Sequence, residues 1–150
     1  MSKFEIYKFI HIAAVVIWVG GGVLGAILAQ RAKKADPVHA LGIATDMAFV
    51  SRRVFAPAAM AALVSGVLMV LDVDGIEFEQ AWIAIGFGGI IASMGLAMGF
   101  IGPNARRLVA ELTAENPKAA VRLRSIALAV RVDLTVMLVV LWAMVTKPGL

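Results

Sequence analysis

Between Lys8 and Arg31 the chain runs for 22 residues, FIHIAAVVIWVGGGVLGAILAQ, without an ionised side chain. At about 1.5 Å per residue, a helix of that length covers roughly 30 Å, the thickness of a bilayer's hydrocarbon core. A cleaved leader has an apolar region of only about 7–15 residues, and three more apolar segments follow, so this stretch is read as a retained span. Spans at about 9–30, 54–71, 80–102 and 125–146 predict one transmembrane domain over 1–150. The expected fold is all-α, a polytopic four-transmembrane-helix bundle with short cytoplasmic helices in its loops. Hydrophobic residues make up 61% of the chain and charged ones 16%, against about 45–50% and 25% in a soluble domain. So much apolar surface has to face lipid.

Punctuation residues divide the chain. Residues 1–8 read as a short polar lead-in. Asp36-Pro37 pairs an N-cap side chain with proline at the first helical position, which predicts a short amphipathic or interfacial helix over 37–50. Arg52 and Arg53 are read as closing that loop. Pro57 falls in the first turn of the second span, where a missing N–H costs little. The next loop, DVDGIEFE, carries Asp72, Asp74, Glu77 and Glu79 and no Lys or Arg. Gly102-Pro103 is read as ending the third span, Asn116-Pro117 as starting the fourth helix, and Lys147-Pro148-Gly149 as stopping it.

The net charge of +4 and the pI near 9.9 do not indicate nucleic acid. The basic residues sit at the ends of apolar runs, where the positive-inside rule places them. The loops after the first and third spans hold five Lys and Arg each, and the termini three together. Both basic loops are therefore expected in the cytoplasm, with both termini and the acidic loop outside. Trp82 and Trp142 then lie at the outer interface, which favours amphipathic rings. With no cysteine, disulfides, thiolate metal sites and cysteine nucleophiles are excluded. Histidine is too scarce for a catalytic triad, no phosphate-binding loop is present, and no catalytic residue is assigned.

The first span contains one residue able to bind a metal, His11. Its helical face continues through Ala14, Val15, Trp18, Gly22 and Gly25. One reading is an axial ligand above a small-sided slot for a porphyrin, since neutral imidazole binds iron well. The other is an interhelical hydrogen-bond donor within close helix packing. His39, in a cytoplasmic loop, reads as solvated. Gly21 with Gly25, and Gly95 with Gly99, have the GxxxG spacing of helix association, so a homo-oligomer through glycine-rich faces is expected. Arg131 and Asp133 each carry an insertion cost of about 2.5–3.5 kcal/mol at mid-membrane. Two residues apart, they do not face each other. Arg131 can snorkel to the headgroups; Asp133 needs a partner on another helix, with Arg52 and Arg53 as candidates. Met94 and Met98 share a helix face and could suit a soft ion such as Cu(I), although methionine is also common apolar filler.

The runs YKFIHIAAVVIWVGG, RRVFAPAAMAALVSGVLMVL and RVDLTVMLVVLWAMVTKP resemble a superfamily of small bacterial four-helix membrane proteins. It includes copper-resistance protein D, the four-helix protoporphyrinogen oxidase, and an uncharacterised family of predicted integral membrane proteins, the last being the nearest in pattern. In the oxidase branch a first-helix histidine followed by a tryptophan is tied to haem b, an arrangement that His11 and Trp18 match. Arg53, Pro57, Ser65 and Gly66 are similar to its second helix, and Lys147-Pro148 to its end. The chain departs in lacking a lysine after Trp82, where it reads IAIG, and in having Arg131 and Asp133 where that branch has an Asn-Glu-type pair. What the resemblance implies is a haem-b-binding protein of the bacterial cytoplasmic membrane, in redox or porphyrin chemistry, with His11 as iron ligand and Trp18 beside the cofactor; the helical-face reading adds Gly22 to the cofactor's surroundings. Two alternatives stay open: a copper or small-solute permease lined by the methionines and the Asp133 region, and a ligand-free membrane interaction protein.

Overall fold

The structure is a computed structural model and describes residues 2–72 and 79–148. The described residues are helical throughout, apart from short turns. The helices are α1 (Lys3–Ala32), α2 (Pro37–Val50), α3 (Ala56–Asp72), α4 (Ala81–Leu96), α5 (Gly102–Thr113) and α6 (Lys118–Thr146). Two π-helical turns, Ser51–Phe55 and Ala97–Ile101, join α2 to α3 and α4 to α5 without a break. The result is four continuous rods, each long and apolar enough to cross a membrane.

Local signals account for the rod ends. Ser2 and Glu5 form a capping box, each side chain accepting from the other's backbone N–H, so α1 starts at Lys3 and the lead-in is already helical. Asp36 caps α2 through the His39 N–H at 3.0 Å, and that hydrogen bond holds the Asp36 carboxyl below the usual carboxylate range. The Lys118 N–H donates to Asn116 Oδ1 at 3.0 Å where α6 begins. Lys147 adopts the left-handed conformation, φ 46°, and with Pro148 it stops α6. Its ammonium lies 5.1 Å from the centre of the Trp82 ring, tying two rods together at one end. Gly149 and the acidic positions 73–78, Asp74 and Glu77 among them, lie outside the described residues.

Two boundaries differ from the sequence expectation. Arg52 and Arg53 do not close a loop: the helix passes through them as a π turn, so the interfacial helix and the second span are one rod. Gly102-Pro103 does not end the third span either. The Gly102 N–H bonds back to the Ala97 carbonyl across the second π turn, and α5 continues with Pro103 in its first turn. A π turn widens the backbone ahead of a proline and eases the clash with the carbonyl four residues back.

The rods pack in the order α3, α1, α6, α4, and α3 meets α4 only marginally, leaving a seam. Interior positions are small: Ala14, Ala58, Ala59 and Ala62 surround Trp18, Ile90, Met137 and Val140. Large apolar side chains such as Phe9, Val16, Ile91, Leu128 and Val145 point outward. This inverted pattern suits lipid, where close backbone approach and dispersion, rather than burial from water, hold helices together. A second core, with Ala32, Leu108, Ala119, Leu123 and Ile126, closes the basic-loop end. There the Arg122 guanidinium donates to both Glu111 carboxylate oxygens at 2.7 Å and to Asn104 Oδ1 at 2.6 Å, locking α5 against α6.

The glycines of α4 give a test of this packing. A Cβ on Gly89 would run into Val140, whereas one on Gly88 meets nothing within 4 Å. Gly89→Ala is expected to lower stability by about 1–3 kcal/mol, as overpacking does, and Gly88→Ala to leave it unchanged or raised. Thermal unfolding of both variants in detergent checks the difference; equal midpoints would contradict the α4–α6 contact.

Candidate functional site

His11 projects from α1 toward α3, and three small features of α3 receive it. The Ala62 carbonyl oxygen lies 2.9 Å from His11 Nδ1, and Ser65 Oγ 3.2 Å. The Ser65 hydroxyl is already committed, donating to the Ala61 carbonyl at 2.6 Å. Both atoms near Nδ1 therefore act as acceptors, so Nδ1 carries the hydrogen and shares it between them. In the neutral ring Nε2 then holds a bare lone pair. Gly66 completes the receiving surface: a Cβ there would come within 3.3 Å of His11 Cε1, tighter than ordinary contact. Phe87 of α4 reaches the same place from across the seam, with Cζ 3.9 Å from that Cβ position. His11 is half-buried.

Such an arrangement is compatible with a metal-binding histidine and with a purely structural one. A backbone carbonyl fixes the tautomer and ring plane, and the opposite nitrogen is left as donor. The same hydrogen bond also satisfies the interhelical-donor reading, and the two are compatible. Among the described residues no three His, Asp or Glu side chains cluster as a polydentate metal site. What the donor set offers is one imidazole nitrogen, which fits a metal whose other ligands come with it, as in a porphyrin.

The other expected site residues lie elsewhere. Trp18 is 4% exposed and packs in the central core, about 10 Å down the α1 axis from His11 by helix rise. Gly22 offers no open slot: a Cβ on it would meet Met137 Sδ at 2.6 Å. Gly21 is likewise covered by the Phe55 ring, and Gly25 by Val130 and Met47. These glycines admit side chains from neighbouring helices. Met94 packs against the central core, while Met98 is 68% exposed, so the two do not converge. Arg53 and Arg131 are exposed and His39 faces water beside Asp36.

Asp133 is 8% exposed and points into the bundle. Its partner is Ser93 of α4, itself 2% exposed, rather than an arginine. Oδ1 of Asp133 is buried with no hydrogen-bond partner. The sequence predicts a partner for Asp133 on another helix, with Arg52 and Arg53 as candidates, and both arginines are exposed. Ser93 sits in the apolar run GIIASMG, where a lone serine gives little signal.

Apolar rods with small inward faces and isolated buried polar groups define a multi-pass α-helical integral membrane protein. Residues 5–148 match the family described as predicted integral membrane protein (DUF2269), and the chain belongs to that family. No curated protein and no solved structure matches the chain.

The hydrogen bond at His11 is measurable. Interhelical hydrogen bonds in membrane proteins contribute about 0.6 kcal/mol on average and about 1.7 at most. A double-mutant cycle of His11→Phe with Ser65→Ala is expected to show coupling within that range. Strict additivity in denaturant unfolding would mean that the two side chains do not interact.

Proposed function

We propose that the protein binds haem b through His11 Nε2 and serves in electron transfer or porphyrin handling. The carrying observation is the anchored Nδ1–H, which leaves Nε2 unprotonated and the ring oriented before any ligand arrives. Bound haem would supply one-electron exchange at its iron. The chain's own part is to hold the imidazole and to set ligand basicity through the Ala62 carbonyl. Gly22 is not part of the cradle, because Met137 occupies its space. The seam between α3 and α4, flanked by Gly66 and Phe87, is the route by which a flat apolar ligand reaches the ring. The likeness to the four-helix protoporphyrinogen oxidase supports the same assignment, resting on His11 and Trp18. We place the protein in a bacterial cytoplasmic membrane, with the basic loops inside and both termini outside, from the distribution of Lys and Arg.

A second reading is assembly with another copy. It rests on Gly95 and Gly99, which meet nothing within 4 Å in this chain and so leave one face of the third rod open to a close helix neighbour.

Absorption spectra test the first reading. Protein purified from membranes and supplied with haemin is expected to show a Soret band that His11→Ala abolishes and that Gly66→Val, which displaces the ring, shifts or weakens. A wild-type spectrum without that band, or one unchanged by His11→Ala, would overturn it. Size measurement in detergent tests the second: Gly95→Leu is expected to reduce oligomer mass, and an unchanged mass would remove that face from assembly.

A further inference from the structure

The second polar feature of the interior has no role in the haem reading. Asp133 lies level with residues 23–25 of α1, because Gly22 faces Met137 and Leu134 while Gly25 faces Val130. That is about 18 Å along the bundle from His11 by helix rise, toward the basic loops. The carboxyl is enclosed and contacts Ser93, and its Oδ1 has no partner.

No positive charge compensates it. Among the described residues the ion pairs within 4 Å are His39–Asp36 and Arg122–Glu111. Arg131 stands on another face of α6, and both it and Arg53 are exposed. The rods packed against α6 bring no titratable side chain to this level. By register the segments at this level are residues 22–26 of α1, 89–96 of α4 and the second π turn, and none of them contains a titratable residue. From α5 the charged groups are Arg106, Arg107 and Glu111, the last held by Arg122, about 16 Å further toward the basic loops. A carboxylate here would keep an unpaired, unsolvated oxygen, the costliest state of such a group. A metal ion would need several oxygens, and the site offers a carboxyl and one hydroxyl. A proton needs one acceptor, and it removes the charge.

We propose that Asp133 is a proton-binding site, resting as the neutral acid with its hydroxyl donated to Ser93 Oγ and exchanging that single proton with water at the basic-loop end. Uptake converts the carboxylate and one hydronium ion to the acid and water; release is the reverse. Ser93 is the positioning residue. The proposal does not depend on His11 and stands or falls separately from haem binding.

Dicyclohexylcarbodiimide, an apolar reagent, adds to protonated carboxyls and leaves a stable N-acylurea. Applied to the wild-type protein in lipid nanodiscs, followed by peptide mapping, it is expected to label Asp133, with yield falling as pH is raised. A water-soluble carbodiimide is expected not to label it, and sodium ion not to protect it. Infrared difference spectra are expected to show a carboxylic C=O band that shifts in D2O and is lost in Asp133→Asn. The mapping uses wild-type protein, so it decides the matter even if that variant folds poorly. An unlabelled Asp133 at every pH would overturn the proposal, and protection by sodium ion would replace the proton with a metal ion.

Discussion

Inside a bilayer a polar group can be satisfied only by another part of the protein, and that depends on how closely the backbones approach. The small inward residues of this bundle set that distance. Ala62 and Gly66 bring the α3 backbone within reach of the His11 ring, and a Cβ at position 66 would crowd it. Gly89 lets α4 settle against Val140 on α6, beside the place where Ser93 meets Asp133. Both polar sites are products of the same close packing. The outward-facing Phe, Leu, Val and Ile side chains contribute compatibility with lipid rather than cohesion.

The two sites use that packing differently. At His11 the Nδ1 hydrogen is matched by the Ala62 carbonyl and Ser65 Oγ, and the ring is held in place. At Asp133 the match is incomplete, and Oδ1 stays unpaired. The first is a closed hydrogen-bond arrangement that orients an imidazole; the second is a group whose state depends on whether it carries a proton. Their separation along the bundle places one near the end that carries both termini and the other toward the basic loops.

Much of this was legible in the sequence. The unbroken apolar runs announce four spans because little else accommodates so many apolar residues, and His11 stands out as the histidine within the first of them. Asp36-Pro37 and Lys147-Pro148 mark rod ends through local chemistry. The Ser2–Glu5 capping box was equally readable, but the polar character of residues 1–8 obscured it. Other features are tertiary and leave little local trace. Gly22 looks like an open slot until Met137 is seen in it, and Ser93 looks like filler until Asp133 is seen opposite. Arg52-Arg53 and Gly102-Pro103 read as breaks because charge and proline usually end apolar helices; here a local change of helical pitch carries the chain through.

Those two π turns have a consequence for how the chain can vary. A π turn takes up about one residue more than an α turn, so the helix face beyond it is rotated by roughly 100° relative to an unbroken α-helix. The stripe by which α2 meets α5 and the stripe by which α3 holds His11 are thus phased across Ser51–Phe55. A loop joining the same two helices would tolerate a change of length. In this rod a single-residue deletion would swing one stripe away from its neighbour, so segment length at these two turns is constrained as tightly as side-chain identity is in the interior.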